Sequence, residues 1–502
     1  MVVSREGEQL HLGGNNPLHR LDRTIGDGLE QILRVHHRRR LSKIGWGAVF
    51  DPGPGRWAMN DPPPRRGNEL RICIDGRESF DAIIEGVRNA RTFVHLAGWH
   101  MEHDFILSKD PVITLEDLIA EAGRAVAVRV LVWGGAPLPP PFRPRRGEAH
   151  KLGKELARHD GVHFAIDSKE RLLHCHHEKL VIIDGDLAFV GGLDFSTLGA
   201  NRLDTNDHPP REPMGWHDAV ARIKGPLVAD VAQHFNLRWS EVTGEALEEN
   251  PIPEPVGEVE AQLVRTVPEK IYDALPRGDF RLLASYVGAL REAEKFIYLE
   301  NQFLWSSEIV KILADKLKHP PSDDFRIVVL LPSKPSTGKD DTLGQLAVLA
   351  EADDNGENFL ACTLYGRDGD RTCPVYVHAK IGIVDTNGSR SVPATSTTTR
   401  CSTIQRSMSL SATPDSRALR ACVCGRSTSR CQESASRPIP PRSSMNCGNR
   451  SRSSSSNSKK PAWRSRAEWY ACSTCPSARR GCSAPSRPFS STVDQRAAVT
   501  RA

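Results

Sequence analysis

Apolar positions along this chain fall into two successive sets with the same layout. Each set opens with helical spacing. Phe80, Ile83, Ile84 and Val87 recur at three- and four-residue steps in the first, and Leu283, Val287 and Leu290 do so in the second. A strand pattern follows, beginning at Phe93 in "EGVRNARTFVHLAGW" and at Phe296 in "GALREAEKFIYLENQF". Next come "VAVRVLVWGG" (126–135) and "DFRIVVLLPS" (324–333), continuous apolar runs of the kind found in strands buried on both faces. Each set closes on a short apolar strand, within "HHEKLVIIDGD" and "VHAKIGIVDTN". The spacing is preserved: 87 residues separate Ala90 from His177, and 85 separate Ala293 from His378. Two strand–helix–strand units in register predict an α/β protein of two related lobes, each a mixed, mostly parallel sheet flanked by helices.

Around these units the pattern sets boundaries. Residues 1–70 read as an N-terminal extension, 71–249 as the first lobe and 261–385 as a second, truncated lobe. The Pro- and Glu-rich "NPIPEPVGEVE" (250–260) reads as the linker between them. Within the extension, 55–70 is a loop and 26–43 a helix with Leu29, Ile32, Leu33 and His36 on one face. The Arg38-Arg39-Arg40 end of that helix is expected in solvent, where cations favour a helix C-terminus; contact with anionic lipid is the alternative. The first residues form no apolar signal-like core, and no run approaches ~18 apolar residues. Neither a signal peptide nor a membrane span is expected, and a cytoplasmic protein with peripheral membrane contact is.

After Asp385 the pattern stops. The net charge of +5 averages two unlike parts. Residues 386–502 hold 20 Lys/Arg against 4 Asp/Glu, which leaves 47 against 58 for residues 1–385. Of those last 117 residues, 27 are Ser and nine are Leu, Ile, Val or Phe. That is far below the ~20% of large apolar residues with which a chain can form a core, so disorder is expected. Eight of the 12 cysteines crowd into the same stretch, including Cys422, Cys424, Cys472 and Cys475. Chance enrichment in a biased tract is the expectation for them, rather than a zinc site. The scattered cysteines of the body fit a reducing compartment.

The chemistry lies in the closing strand of each set, which carries His-x-Lys-x4-Asp: His177, Lys179 and Asp184, then His378, Lys380 and Asp385. Residues two apart on a strand share a face, so each His projects with its Lys. A lone histidine of this kind is ordinarily a core residue; two in register within a duplication are a site. A neutral imidazole can attack phosphorus, an opposed imidazolium can protonate the leaving oxygen, and two ammonium groups can neutralise the phosphoryl oxygens. No metal or other cofactor is then required. Asp184 and Asp385, at the opposite parity, are expected to support rather than react. A metal cluster at His174, Cys175, His176 and His177 is disfavoured, because strand neighbours face opposite ways. Trp99, Trp133, Trp216 and Trp239 are expected in the core rather than along a lipid groove.

These residues resemble the phospholipase D superfamily, and within it the phospholipase D branch, over about residues 70–385. "FVGGLDFS" (189–196) resembles that family's glycine-rich phosphate pocket, with Gly191, Gly192 and Asp194. "NRLDTNDHP" (201–209) resembles its acidic loop, and "GWHDAVARIKGPLVADVAQHFNLRW" (215–239) its lobe-closing segment. "IYLENQFLW" (297–305) resembles a signature of phospholipid-hydrolysing members, with Tyr298, Glu300 and Asn301 either pocket residues or an ordinary strand end. The resemblance implies a phosphohistidine intermediate, with His177 the nucleophile and His378 the general acid. It implies a glycerophospholipid substrate and a water or alcohol acceptor. Asp204, then Asp207, is the candidate acid behind His177. A cardiolipin-synthase-like phosphatidyltransferase, a nuclease of the superfamily and a non-catalytic remnant are the rivals. The acidic body argues against nucleic acid as a partner.

The family also implies a Trp, a Gly-Ser-x-Asn turn and an Asp-x-Glu beyond the second motif, and none follows Asp385. Codons read one phase later, joining each last base to the next two, permit D-E-W-L-A-V-G-S-G-N-L-N-D-H for "TNGSRSVPATSTTT". The same phase permits N-D-T-E-V-N-V for "TIQRSMS", placing a Glu at the codon overlapping Arg406, 28 residues after His378. The sequence from Thr386 is therefore expected to be out-of-frame translation of an ordinary second lobe, with the acid for His378 lost in it; a genuine low-complexity basic tail is the alternative.

Overall fold

The computed structural model describes residues 31–385 and the strands at 408–412 and 470–472. Within the first range, residues 56, 138–143, 170–174, 198–202, 204–207, 212–213, 334–338 and 369 are not described. Helix α1 covers 31–43. The first unit runs β1 (Arg65–Ile74), α2 (Asp75–Arg88), β2 (Phe93–Gly98), the hairpin β3 (Ile106–Lys109) and β4 (Val112–Thr114), α3 (Leu115–Gly123), β5 (Ala127–Trp133), α4 (Arg146–Leu156), β6 (Val162–Asp167), β7 (Leu180–Ile183), β8 (Leu187–Gly191), β9 (Gly215–His217), β10 (Ala219–Lys224) and α5 (Leu227–Thr243). The second runs β11 (Val259–Arg265), α6 (Arg281–Glu292), β12 (Phe296–Glu300), α7 (Ser307–Lys318), β13 (Arg326–Leu330), α8 (Lys339–Ala352), β14 (Phe359–Asp368), β15 (Arg371–Val377) and β16 (Ile381–Val384), with β17 (Met408–Ala412) and β18 (Tyr470–Cys472) beyond it.

Local chemistry explains the helix ends. The Glu78 side chain accepts from the Ile74 N–H at the start of α2, and Thr114 and Asp117 form a reciprocal capping box on α3. Gly244 takes φ 78° just past α5, the left-handed turn that glycine adopts without strain. The apolar face of α2 (Phe80, Ile83, Ile84 and Val87) is buried with Val94, Phe105 and Leu118. That of α6 (Leu283, Val287 and Leu290) is buried with Ile297, Leu313 and Ile327.

The two sheets share a run of strands. One has the order β17-β11-β1-β10-β8-β7-β2-β5-β6, the other β16-β12-β13-β14-β15-β9, with β18 beside β14. The run β7-β2-β5-β6 recurs as β16-β12-β13-β14, antiparallel then parallel then parallel in both. The parallel pairing expected from the apolar runs holds within these triplets, and antiparallel strands flank them. The lobes also share strands. β11, from beyond the linker, pairs with β1, and β9, from the first half, pairs with β15.

The two sheets differ in one respect among the described residues. In the first lobe β8 and β10 carry the sheet from β7 to β1. In the second, β17 pairs antiparallel with β11 just as β10 pairs with β1. Among the described residues no strand stands between β16 and β17, and buried β16 pairs only with β12. The expected disorder of 386–502 otherwise concerns residues outside those described.

Helix α1 departs from expectation. Ile32 and Leu33 are exposed, while His37 and Leu41 are buried. Arg38 makes a two-pronged pair with Glu308 on α7 (2.7 and 2.6 Å), and Arg40 donates to Glu269 (2.9 Å). The basic end is thus anchored on the second lobe, because those carboxylates select the face that turns inward; Leu29 lies outside the described residues. Among the described residues no helix is long and apolar enough to cross a membrane.

Candidate active site

The residues of the two motifs meet where the lobes face each other. His177 and Lys179 lie in the extended lead-in to β7, and His378 and Lys380 in that to β16, one to three residues short of each ladder. All four are buried, and the ring centroids of His177 and His378 are 6.3 Å apart. Trp99 flanks His177 at 5.5 Å and Trp216 flanks His378 at 4.7 Å. Trp216 also stacks on Tyr376, while Trp133 and Trp239 are core residues.

Electrostatics separates two histidines that the motif makes alike. Burial holds the His177 pKa well below its ordinary value, and Lys179, Lys380 and His378 lower it further. The ring is therefore neutral near pH 7. Its Nδ1 is buried without a hydrogen-bond partner among the described residues. Glu178, between His177 and Lys179 in sequence, joins a separate buried network with His234 (2.8 Å) and Arg238. His378 is placed differently, with Nδ1 2.6 Å from Asp218 Oδ2. Burial tends to raise the Asp218 pKa, but the charge and hydrogen bond of His378 and the charge of Lys380 override it and keep the carboxyl ionised.

Lys179 is held by Asp194, Nζ to Oδ2 at 3.1 Å. Burial lowers its pKa and Asp194 opposes that shift. Asp194 also accepts from the Trp99 and His100 N–H groups, so its carboxylate fixes the lysine instead of presenting itself to an anion. Gly191 and Gly192 have a steric reason. A Cβ on Gly192 would lie 2.0 Å from Asp218 Oδ1, and one on Gly191 2.5 Å from the Ala219 carbonyl oxygen. Gly192 thus leaves room for the acid that holds His378. Glu300 accepts from the Tyr298 hydroxyl (2.6 Å) and lies 3.1 Å from His217 Nε2; the Asn301 N–H donates to the Leu330 carbonyl.

Asp184 and Asp385 face away from the histidines. Asp184 (φ 54°) accepts from the N–H groups of Arg91, Thr92 and Phe93 and from the Thr92 hydroxyl. Asp385 (φ 46°) accepts from the N–H groups of Glu294, Lys295 and Phe296. Each ties the end of the motif strand to the start of its central neighbour.

The acid on His378 differs from expectation. Asp204 and Asp207 lie outside the described residues, and the acid that the structure places on a motif histidine is Asp218. It comes from the first lobe and holds the second-lobe histidine, whereas the expected acid for His378 lay beyond Asp385. The pairing crosses lobes because β9 has joined the second sheet, carrying the next residue, Asp218, to His378. Parity within one strand cannot reveal that exchange; the acid following His217 at a strand break is its only local mark. Sequence reasoning also missed the buried partners Asp75, His208, His217 and Arg238. His174 lies outside the described residues, and His176 turns to Asp167 (2.9 Å), opposite to His177.

No family model matches the chain. Among curated proteins it is 25% identical to phospholipase D A of Dictyostelium discoideum over 325 residues, covering 54% of this chain and 25% of that protein. It is 26% identical to phospholipase D gamma 2 of Arabidopsis thaliana over 322 residues (45% of this chain, 37% of that protein). It is 27% identical to phospholipase D alpha 1 of Ricinus communis over 335 residues (46% and 40%). The chain thus spans well under half the length of these relatives. A looser likeness exists to the crystal structure of phosphatidylserine synthase from Haemophilus influenzae, with TM-score 0.47, 12% identity, and 73% of this chain and 85% of that one covered. The curated proteins to which this chain is related are members of the phospholipase D family.

Proposed function

We propose that the site cleaves phospholipid phosphodiesters, or exchanges their head group for an alcohol, through a phosphohistidine on His177. The observation that carries this reading is the opposition of a neutral imidazole and an Asp218-backed imidazole across 6.3 Å, with a lysine beside each. His177 attacks through Nε2, since Nδ1 is its buried nitrogen. The N–P bond forms as the bond from phosphorus to the head-group oxygen breaks, and His378 gives its proton to that oxygen. Water or an alcohol then returns a proton to His378 as its oxygen attacks phosphorus and releases His177. Lys179 and Lys380 offset the charge that builds on the phosphoryl oxygens. Every proton and bond in this sequence is accounted for by imidazole and ammonium groups. Contact with the lipid surface is peripheral, and the protein works in the cytoplasm.

The reading applies to the protein the gene would encode in one frame. The change of composition at Thr386, with 20 Lys/Arg against 4 Asp/Glu in residues 386–502, supports the view that the chain beyond it is out of frame. The cross-lobe pairing of Asp218 with His378 also supports a mirrored arrangement, in which the acid permitted at the codon overlapping Arg406 would serve His177. The test is to trap the frame-restored enzyme with a labelled phosphodiester and map the adduct. Label on His177 is expected. Label on His378 alone would reverse the roles, and turnover without any covalent adduct would overturn the mechanism.

A further inference from the structure

A second cluster of potential ligands lies beside the site and takes no part in the proposed reaction. Asp75, His208 and His217 place a carboxylate oxygen and two imidazole nitrogens within 4.8 Å of one another. All three residues are buried, and Asp75 is fully so. His217 Nδ1 is 2.9 Å from Asp75 Oδ1, and His208 Nε2 is 3.1 Å from Asp75 Oδ2. The outer nitrogen of His217, Nε2, lies 3.1 Å from Glu300 Oε2, and the Tyr298 hydroxyl fixes Glu300 in turn. An imidazole with one nitrogen in a ligand cluster and the other held by a carboxylate has the arrangement of a metal-bound histidine with its outer support.

We propose that Asp75, His208 and His217 bind a divalent first-row cation of the zinc class, with Glu300 orienting His217. Two imidazoles and one carboxylate favour such an ion over calcium or magnesium, which take oxygen ligands. Bonds of about 2.0–2.2 Å in tetrahedral geometry would separate the ligand atoms by about 3.4 Å, between the 2.9 and 3.1 Å of the two His–Asp contacts and the 4.8 Å that bounds the whole cluster. The charge also fits: Asp75 and Glu300 bring two carboxylates into one buried place, and a divalent ion offsets both. The ion would join the β1–α2 junction, β9 and, through Glu300, the end of β12. It would thereby fix the peptide leading to Asp218, whose N–H donates to Asp75 Oδ1 at 3.0 Å. This role is to hold the lobes in place, and it stands apart from the phosphodiester chemistry.

The test is titration of the full-length chain with cobalt(II), after its cysteines have been alkylated so that thiolates in 386–502 do not compete. One equivalent with visible d–d absorption is expected. Asp75→Asn and His208→Asn should each weaken binding at least tenfold, and Glu300→Gln, which keeps the three ligands, about tenfold. Absence of binding, or binding unchanged in Asp75→Asn and His208→Asn, would show that the cluster is only a hydrogen-bonded ion pair. If those variants do not fold, zinc X-ray absorption on the unsubstituted alkylated chain decides. A shell with two imidazoles supports the site, and a shell without them overturns it.

Discussion

At the scale of residues, identical motifs acquire different properties from what surrounds them. His378 is tied to Asp218, while His177 is kept neutral by burial and by the lysines. Asp218→Asn in the frame-restored enzyme should lower kcat by ~10²-fold or more, the contribution typical of a positioned acid, with KM little changed. The pH–rate profile should lose its acid-dependent limb; an unaltered profile would reduce Asp218 to a structural part. A second histidine shows the cost of burying an ionisable ring. His95 is stacked between Phe93 (4.3 Å) and Phe235 (4.5 Å), and neither ring nitrogen has a partner among the described residues. Burial first, then Arg129, pushes its pKa down from 6.5 to about 3, with Glu245 opposing. The unfolded chain binds the proton below pH 6.5 and the folded chain does not, so stability falls as pH drops from 6.5 toward about 3. The slope is ~1.4 kcal/mol per pH unit. His95→Leu should flatten that dependence, as read by urea unfolding at pH 7 and pH 5. Equal slopes for the two proteins would refute it.

At the scale of elements, the third residue of each motif is a clamp. Asp184 and Asp385 each gather three successive backbone N–H groups at the start of the central strand, β2 or β12. Strand starts would otherwise leave those donors to solvent or unpaired. Asp184→Ala is expected to cost ~2 kcal/mol, the scale of losing a charged acceptor shared by several donors. The loss should appear as a lower melting temperature, with the rate per folded molecule of the frame-restored enzyme nearly unchanged at low temperature. A rate loss of ~10²-fold or more in fully folded protein would instead place Asp184 in the chemistry.

At the scale of the molecule, the two units do not simply sit side by side. β9 and β11 cross between sheets, so each lobe completes the other. Restoring the frame after Asp385 should supply the strand between β16 and β17, the phosphate-pocket turn and an acid for His177. These contribute to one pocket, so the gain should be far from additive. Phosphodiester hydrolysis by the single-base-corrected product should exceed that of the present chain by orders of magnitude. Equal rates from equally pure protein would mean that residues 386–502 are no defect.

The sequence by itself determined what repeats and what is local. The helical stripes of α2 and α6, the apolar runs of β5 and β13, and the placing of His177, Lys179, His378 and Lys380 follow from spacing that each segment carries within itself. The break at Asp385 was equally legible, because composition changes there without any need of a fold. Only the tertiary structure decided which acid meets which histidine, which face of α1 turns inward, and that Asp194 serves a lysine. Asp218 and His378 are 160 positions apart and are joined by a strand that changes sheets. The inward face of α1 depends on carboxylates at Glu269 and Glu308. Periodicity reports how a segment divides between core and solvent; it does not report which distant charge will be waiting at the core side, and that is settled only when the lobes pack.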